Sequence, residues 1–166
     1  GPLDLDLPEH KIRLGADGRV AEIATRERLE AHRLIEEFMI QANVVAAEIL
    51  EAKRVPLIFR VHAPPAPEKL NALSDFLSTL KISLPKGQVV KPAMLNRILD
   101  TVRGGPYASM VNEMMLRTQS QAEYSPDNIG HFGLALRRYA HFTSPIRRYA
   151  DLIVHRALVR ALRLGD

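Results

Sequence analysis

Ser144, Pro145, Arg147 and Arg148 fall within five consecutive positions, a combination suited to holding a phosphate. A serine hydroxyl caps the free N–H groups at a helix start, and proline in the first turn surrenders an N–H that had no partner. The same end of the helix is the positive pole of its dipole, so anions are drawn to it. Two guanidinium forks within the first turn add donors shaped for phosphate oxygens. The spacing predicts a final helix opening at Ser144-Pro145 and running to about Leu164, with His141 and Thr143 just upstream as further donors. On the bland reading, Ser144 only caps and the arginines pair with acids. Asp151 lies at i, i+4 from Arg147 and i, i+3 from Arg148 and can reach either. One carboxylate cannot neutralise the seven arginines of residues 131–166, a segment of net charge +5 against −1 for the rest of the chain. A polyanionic partner is the first functional indication.

Other clusters are weaker. Asp4 and Asp6 alternate on one face of an expected strand and could share a metal, although a solvated strand face is the simpler reading. Glu36 and Glu37 are adjacent on an expected helix and point apart. His155 and Asp151 could make a metal pair but lack a third ligand. His131 and His155 read as buried, hydrogen-bonded rings. There is no cysteine, which removes disulfides, zinc–thiolate sites, iron–sulfur clusters and thiol nucleophiles from consideration.

The elements that must position these residues follow from periodicity. The opening alternates Leu3, Leu5 and Leu7 with Asp4 and Asp6, then Ile12 and Leu14 with Lys11 and Arg13, and turns at 16–18 before Val20 and Ile23, which predicts a short antiparallel meander. A long helix is expected from Thr25 to about Lys53, buried along Leu34, Phe38, Val45 and Ile49 and stopped by Pro56. Leu57 to His62 reads as a strand. Helices follow from Pro67, from Pro92 to Arg103 and from Pro106, with methionines as core filler. Gln121–Tyr124 and His131–Leu136 read as strands flanking the turn cluster Ser125 to Gly130. The 46% hydrophobic and 25% charged composition over 166 residues is that of a globular domain, not of a disordered tail or a fibre. No stretch approaches the roughly 20 apolar residues of a membrane span, and the start has no signal-peptide character. A soluble, cytoplasmic protein without a membrane partner is expected. Gly1 in place of Met fits a piece of a longer protein.

Gly130-His131-Phe132-Gly133-Leu134-Ala135-Leu136, then Tyr139 to Leu152, then His155-Arg156, resembles the C-terminal signature of the catalytic (RNB) domain of the ribonuclease II and ribonuclease R exoribonucleases, on its ribonuclease R side. Glu36 to Asn43 resembles that family's long-helix motif, Phe59 to His62 its strand before a Pro-containing loop, Leu116-Arg117 through Tyr124-Ser125 the segment preceding the Gly-His-Phe-Gly turn, and Leu3 to Glu9 its lead-in strand. The 29-residue core from Gly130 to Leu158 is too long and particular for chance.

The resemblance implies an α+β fold of short, mainly antiparallel strands and several helices, with residues 1–166 forming an incomplete RNB-type catalytic domain. The metal-binding N-terminal part and the flanking RNA-binding domains would lie outside this chain. It also implies cleavage of RNA from a single-stranded 3′ end to nucleoside 5′-monophosphates, with Mg²⁺ held by aspartates that this chain does not contain. By the same resemblance Arg147 matches the arginine at the scissile phosphate. Thr143 and Ser144 would bind a terminal phosphate or sugar through hydroxyl and backbone donors, and His141 and Tyr149 a base or ribose. His62 and Arg148 complete the RNA-contacting set, unless Arg148 pairs internally. Some family members place an aromatic clamp just past the strand histidine, where this sequence has Ala63-Pro64-Pro65. By itself the chain should be inert, its RNA affinity electrostatic and salt-sensitive, and its exposed edges prone to self-association. Two alternatives remain at this point: a non-catalytic RNA-binding or regulatory module of the same fold, and an interaction unit whose arginines dock on acidic protein.

Overall fold

The computed structural model describes residues 1–5, 10–25 and 29–165. His10–Leu14 (β1) and Val20–Thr25 (β2) pair as an antiparallel hairpin, as the alternation predicts. Ile12, Leu14 and Val20 of the hairpin are each more than half exposed. The expected first arm of a meander, Leu3–Leu7, is not a strand in its described part. Leu3 and Leu5 pack on a helical core instead, and the Leu3 N–H donates to the Gly133 carbonyl at 2.7 Å. Asp4 forms an ion pair with Arg103 at 3.5 Å, and Asp6 lies outside the described residues.

Thr25, expected to open the long helix, is instead the last residue of β2, its backbone paired with His10. The long helix spans Glu30–Ala52 (α1) and ends before Pro56, which disfavours continuation. Its buried residues are Asn43, Ala46, Ala47 and Leu50. The predicted stripe is thereby corrected, since Leu34, Phe38 and Val45 are largely exposed. Two alanines in succession let α1 lie close against its neighbours, and the bulkier face is left outward.

Phe59–His62 (β3) pairs antiparallel with Ala122–Ser125 (β4), in a register that puts Phe59 opposite Ser125 and His62 opposite Ala122. Between them run Pro67–Thr79 (α2), Pro92–Val102 (α3) and Ala108–Thr118 (α4). Proline opens α2 and α3, each preceded by an extended residue, as proline demands of its predecessor. Leu73 and Leu77 of α2, Leu95, Ile98 and Leu99 of α3, and Val111 and Met115 of α4 make one buried cluster. A second cluster joins Ala46, Ala47 and Leu50 of α1 and Phe59 and Val61 of β3 to Val154 and Leu158 of the last helix, Tyr149–Leu162 (α5). The architecture is α+β, and among the described residues no helix is long and apolar enough to cross a membrane.

Residues 131–136, read as a strand from the sequence, form a closed turn instead. His131 and Leu136 exchange both backbone hydrogen bonds, at 2.8 and 3.1 Å, and Ala135 adopts a left-handed conformation with φ 54°. Glycine is required at 133 for a specific reason: a β-carbon there would sit 2.8 Å from Nδ1 of His62.

Candidate phosphate-binding site

The segment from Tyr139 to Asp151 makes almost no regular secondary structure before Tyr149, so its backbone groups need partners from elsewhere. Two buried side chains supply them. Asn43 on α1 accepts the N–H groups of Phe142 and Thr143 through Oδ1, at 2.8 and 3.2 Å, and donates through Nδ2 to the Tyr139 hydroxyl at 2.9 Å. Asp151, fully buried on α5, accepts the Ser144 N–H and the Arg148 guanidinium through one oxygen, each at 2.8 Å. Asn43 sits in a helix interior facing apolar neighbours, and that polar interruption was the available signal for a role that spacing alone did not reveal.

These contacts correct the expected helix start. The Ser144 carbonyl accepts the N–H groups of Arg147 and Arg148, at 3.3 and 3.1 Å, closing a turn over residues 145–147. Helix α5 begins only at Tyr149, behind an extended Arg148 and with no side-chain cap. Ser144 therefore caps nothing with its hydroxyl. The N–H groups of Thr143 and Ser144, expected to meet a phosphate, are already taken by Asn43 and Asp151. The Thr143 hydroxyl is buried without a hydrogen-bond partner among the described residues, as are Asp151 Oδ2 and Arg148 Nε. Of the donors expected at 143 and 144, only the half-buried Ser144 side chain remains open to a ligand.

The turn projects Ile146 and Arg147 outward, Ile146 being 98% exposed. Arg147 is exposed and has no ion pair or side-chain hydrogen bond among the described residues. Arg148 behaves oppositely: its side chain is one-fifth exposed and committed to Asp151. Tyr149 follows on the surface, 71% exposed.

Upstream, a run of rings walls the segment. His141 Nδ1 meets the Tyr124 hydroxyl at 2.8 Å, and Arg60 lies 4.8 Å over the Tyr124 ring, within range of a cation–π contact. Burial, with help from the Arg148 and Arg60 charges, lowers the His141 pKa to about 4. His131, edge-on to Tyr139, is lowered to about 4 by burial first and then by His62 and Arg60. Burial raises the Tyr139 phenol above its ordinary value. Both imidazoles are therefore neutral at pH 7 and suited to hydrogen bonding, not to charge pairing with phosphate.

His62 is corrected as an RNA ligand. It is buried, donates through Nε2 to the Ser120 carbonyl at 2.8 Å and accepts the Gly133 N–H through Nδ1 at 2.8 Å. No ring nitrogen is left for a ligand, and its work is to pin the 131–136 turn to β3. His155 is likewise engaged, stacked on Phe142 at 4.2 Å and bonded to the Phe142 carbonyl at 2.8 Å. It makes no metal pair with Asp151. Among the described residues no three His, Asp or Glu side chains stand close enough to hold a metal ion.

Against known proteins, the family profile described as RNB domain matches residues 1–164. Ribonuclease R of Aquifex aeolicus is 45% identical over 163 residues, 98% of this chain and 23% of that protein. Ribonuclease R of Escherichia coli K12 is 43% identical over 158 residues, 95% of this chain and 19% of that protein. Among solved structures, Mycoplasma genitalium RNase R in complex with ribose-methylated single-stranded RNA superposes with a TM-score of 0.88 at 32% identity, covering 96% of this chain and 25% of that one. Yeast Ssd1, described as a pseudonuclease, shares the fold with a TM-score of 0.71 at 24% identity, covering 84% of this chain and 18% of that one. The chain thus spans about a fifth to a quarter of the length of the Aquifex and Escherichia ribonucleases.

Proposed function

The chain belongs to the RNB-domain family, and we propose that it serves as the phosphate- and RNA-contacting part of a 3′-to-5′ exoribonuclease that hydrolyses RNA to nucleoside 5′-monophosphates. Residues 1–166 are one portion of a single catalytic domain. The catalytic Mg²⁺ and its carboxylate ligands belong to another part of the same protein, which acts on single-stranded 3′ ends in the cytoplasm. The observation that supports this reading is Arg147: a guanidinium without a counter-ion among the described residues, exposed on a turn whose incoming backbone is held by Asn43 and Asp151. A guanidinium fork at that position steadies charge on the non-bridging oxygens of a scissile linkage. In this reading the Ser144 hydroxyl donates to the same anion, Tyr149 stacks on a base, and His141 hydrogen-bonds a base or ribose as a neutral ring. Arg148 acts indirectly, by locking Asp151 and hence the turn.

The test is degradation of a 3′-labelled single-stranded RNA by the full-length protein. Arg147→Ala should lower kcat by about 10²–10³-fold, the cost of deleting one oxyanion donor, with KM changed far less. Unaltered turnover would remove Arg147 from the reaction. Self-association of the isolated chain also belongs to this reading, supported by the exposed Leu34, Ile35 and Phe38 of α1. Sedimentation showing a monomer at all concentrations would contradict it.

A further inference from the structure

Beyond the Arg147 turn, α5 carries a second set of unpaired arginines. At 100° per residue, Arg156 and Arg160 lie within about 20° of the direction of Tyr149, and Arg163 follows at the C-cap. All four are exposed, and none of the three arginines has an ion pair or side-chain hydrogen bond among the described residues. Together with His155, Val159 and Gly165 the three arginines line an open recess of about 650 Å³ with no acid among the described residues that line it. The recess is shaped by the end of the helix. Arg163 takes a left-handed conformation with φ 54°, and the Leu164 N–H returns to the Val159 carbonyl at 3.0 Å, folding the chain back over the last turn. The negative end of the helix dipole accounts for a cation in the last turn, such as Arg160. It does not account for Arg156, nearly two turns from the end.

We propose that this face of α5 is a second nucleic-acid surface, a row of guanidiniums that takes backbone phosphates of the same RNA strand upstream of the linkage held at Arg147. The inference rests on the RNA-binding reading above and adds a path to it. The row begins at Tyr149, two residues from Arg147, and extends about 20 Å at 1.5 Å per residue. That length matches about six nucleotides of a stacked strand at 3.4 Å each. Its chemistry fits a sugar–phosphate backbone better than an acidic protein. Among the described residues Val159 is the only exposed apolar side chain lining the recess, whereas protein interfaces are centred on apolar and aromatic anchors.

The experiment measures anisotropy of fluorescent oligouridylates of 3 and 12 nucleotides with the 166-residue chain, over a salt series. The wild type should bind the 12-mer more tightly than the 3-mer. Arg156→Gln/Arg160→Gln/Arg163→Gln should weaken the 12-mer at least about tenfold, reduce its log–log salt slope by about 2 (about 0.7 per lost single-strand contact), and leave the 3-mer unchanged. Arg147→Ala should weaken both lengths. Equal affinity and slope for the 12-mer in the triple variant would overturn the proposal. So would a wild type indifferent to length, or equally tight binding of a polyglutamate peptide. If Arg147→Ala has no effect while the triple variant loses the 12-mer, the row on α5 stands and the role given to Arg147 falls. Arg156→Gln alone, away from the helix end, gives the same test with about a third of the slope change should the triple variant melt early.

Discussion

The α2–α3–α4 cluster and the α1–β3–α5 region are held by different forces. The first is a set of fully buried leucines, valines and methionine meeting at helical spacing, stabilised by area removed from water. The second also has an apolar centre, but its functional edge is shaped by three buried polar residues, Asn43, His62 and Asp151, each of which accepts backbone N–H groups from a segment without its own ladder. Apolar burial is non-directional and tolerates small shifts. A side-chain oxygen bonded to two N–H groups fixes where a loop lies, and the outward aim of Arg147 depends on that.

The contrast can be broken from either side. Leu95→Ala, at a fully buried position, should cost about 2–5 kcal/mol. Amide hydrogen exchange should accelerate in α2, α3 and α4 while RNA affinity is retained, and faster exchange confined to residues 139–151 would deny the division. Asp151→Ala removes the acceptor of Ser144 and leaves the Arg148 guanidinium unpaired, for a loss of about 3 kcal/mol. Its exchange should accelerate in residues 139–151, and RNA affinity should fall with it. Normal affinity in that variant would show that the turn does not need its pin.

Acid should separate the regions with a smaller effect. His131 and His141 have folded pKa values of about 4 against an ordinary 6.5, so the unfolded chain binds protons that the folded chain refuses. Their contribution is complete above pH 6.5 and is lost as pH falls from 6.5 towards 4. Neither residue belongs to the helical cluster. Melting temperature should therefore fall over that window, less steeply in His141→Gln, and an identical slope in the variant would remove His141 as a source.

The same division governs what the sequence made legible. The 3.6-residue pattern and opening prolines located α2 and α3 closely, because burying a leucine stripe needs only local spacing. Ser144-Pro145 reads as a helix start on the same logic. Yet bonds spanning 99 and 100 positions, from Asn43 to Phe142 and Thr143, and the Asp151 carboxylate consume the donors there and delay the helix to Tyr149. Residues 131–136 alternate like a strand, but the approach of His62 to Gly133 and the left-handed Ala135 close them into a turn. On α1 two apolar faces compete, and the smaller side chains win the interior because they permit closer approach. The family was legible from motifs; which side chains are spent on the scaffold and which are free was not, since that is decided by partners distant in sequence.

The central claim is that adjacent arginines divide the labour, Arg147 for the anion and Arg148 for the fold. It is tested most directly by measuring melting temperature and the Kd for a single-stranded RNA 12-mer in Arg147→Ala and Arg148→Ala side by side. Arg147→Ala should keep the wild-type melting temperature and weaken binding about tenfold, a loss of about 1.4 kcal/mol. Arg148→Ala should lower the melting temperature by several degrees, because the buried Asp151 carboxylate loses its counter-ion. Arg147→Ala binding as tightly as wild type, with Arg148→Ala melting normally, would contradict the account.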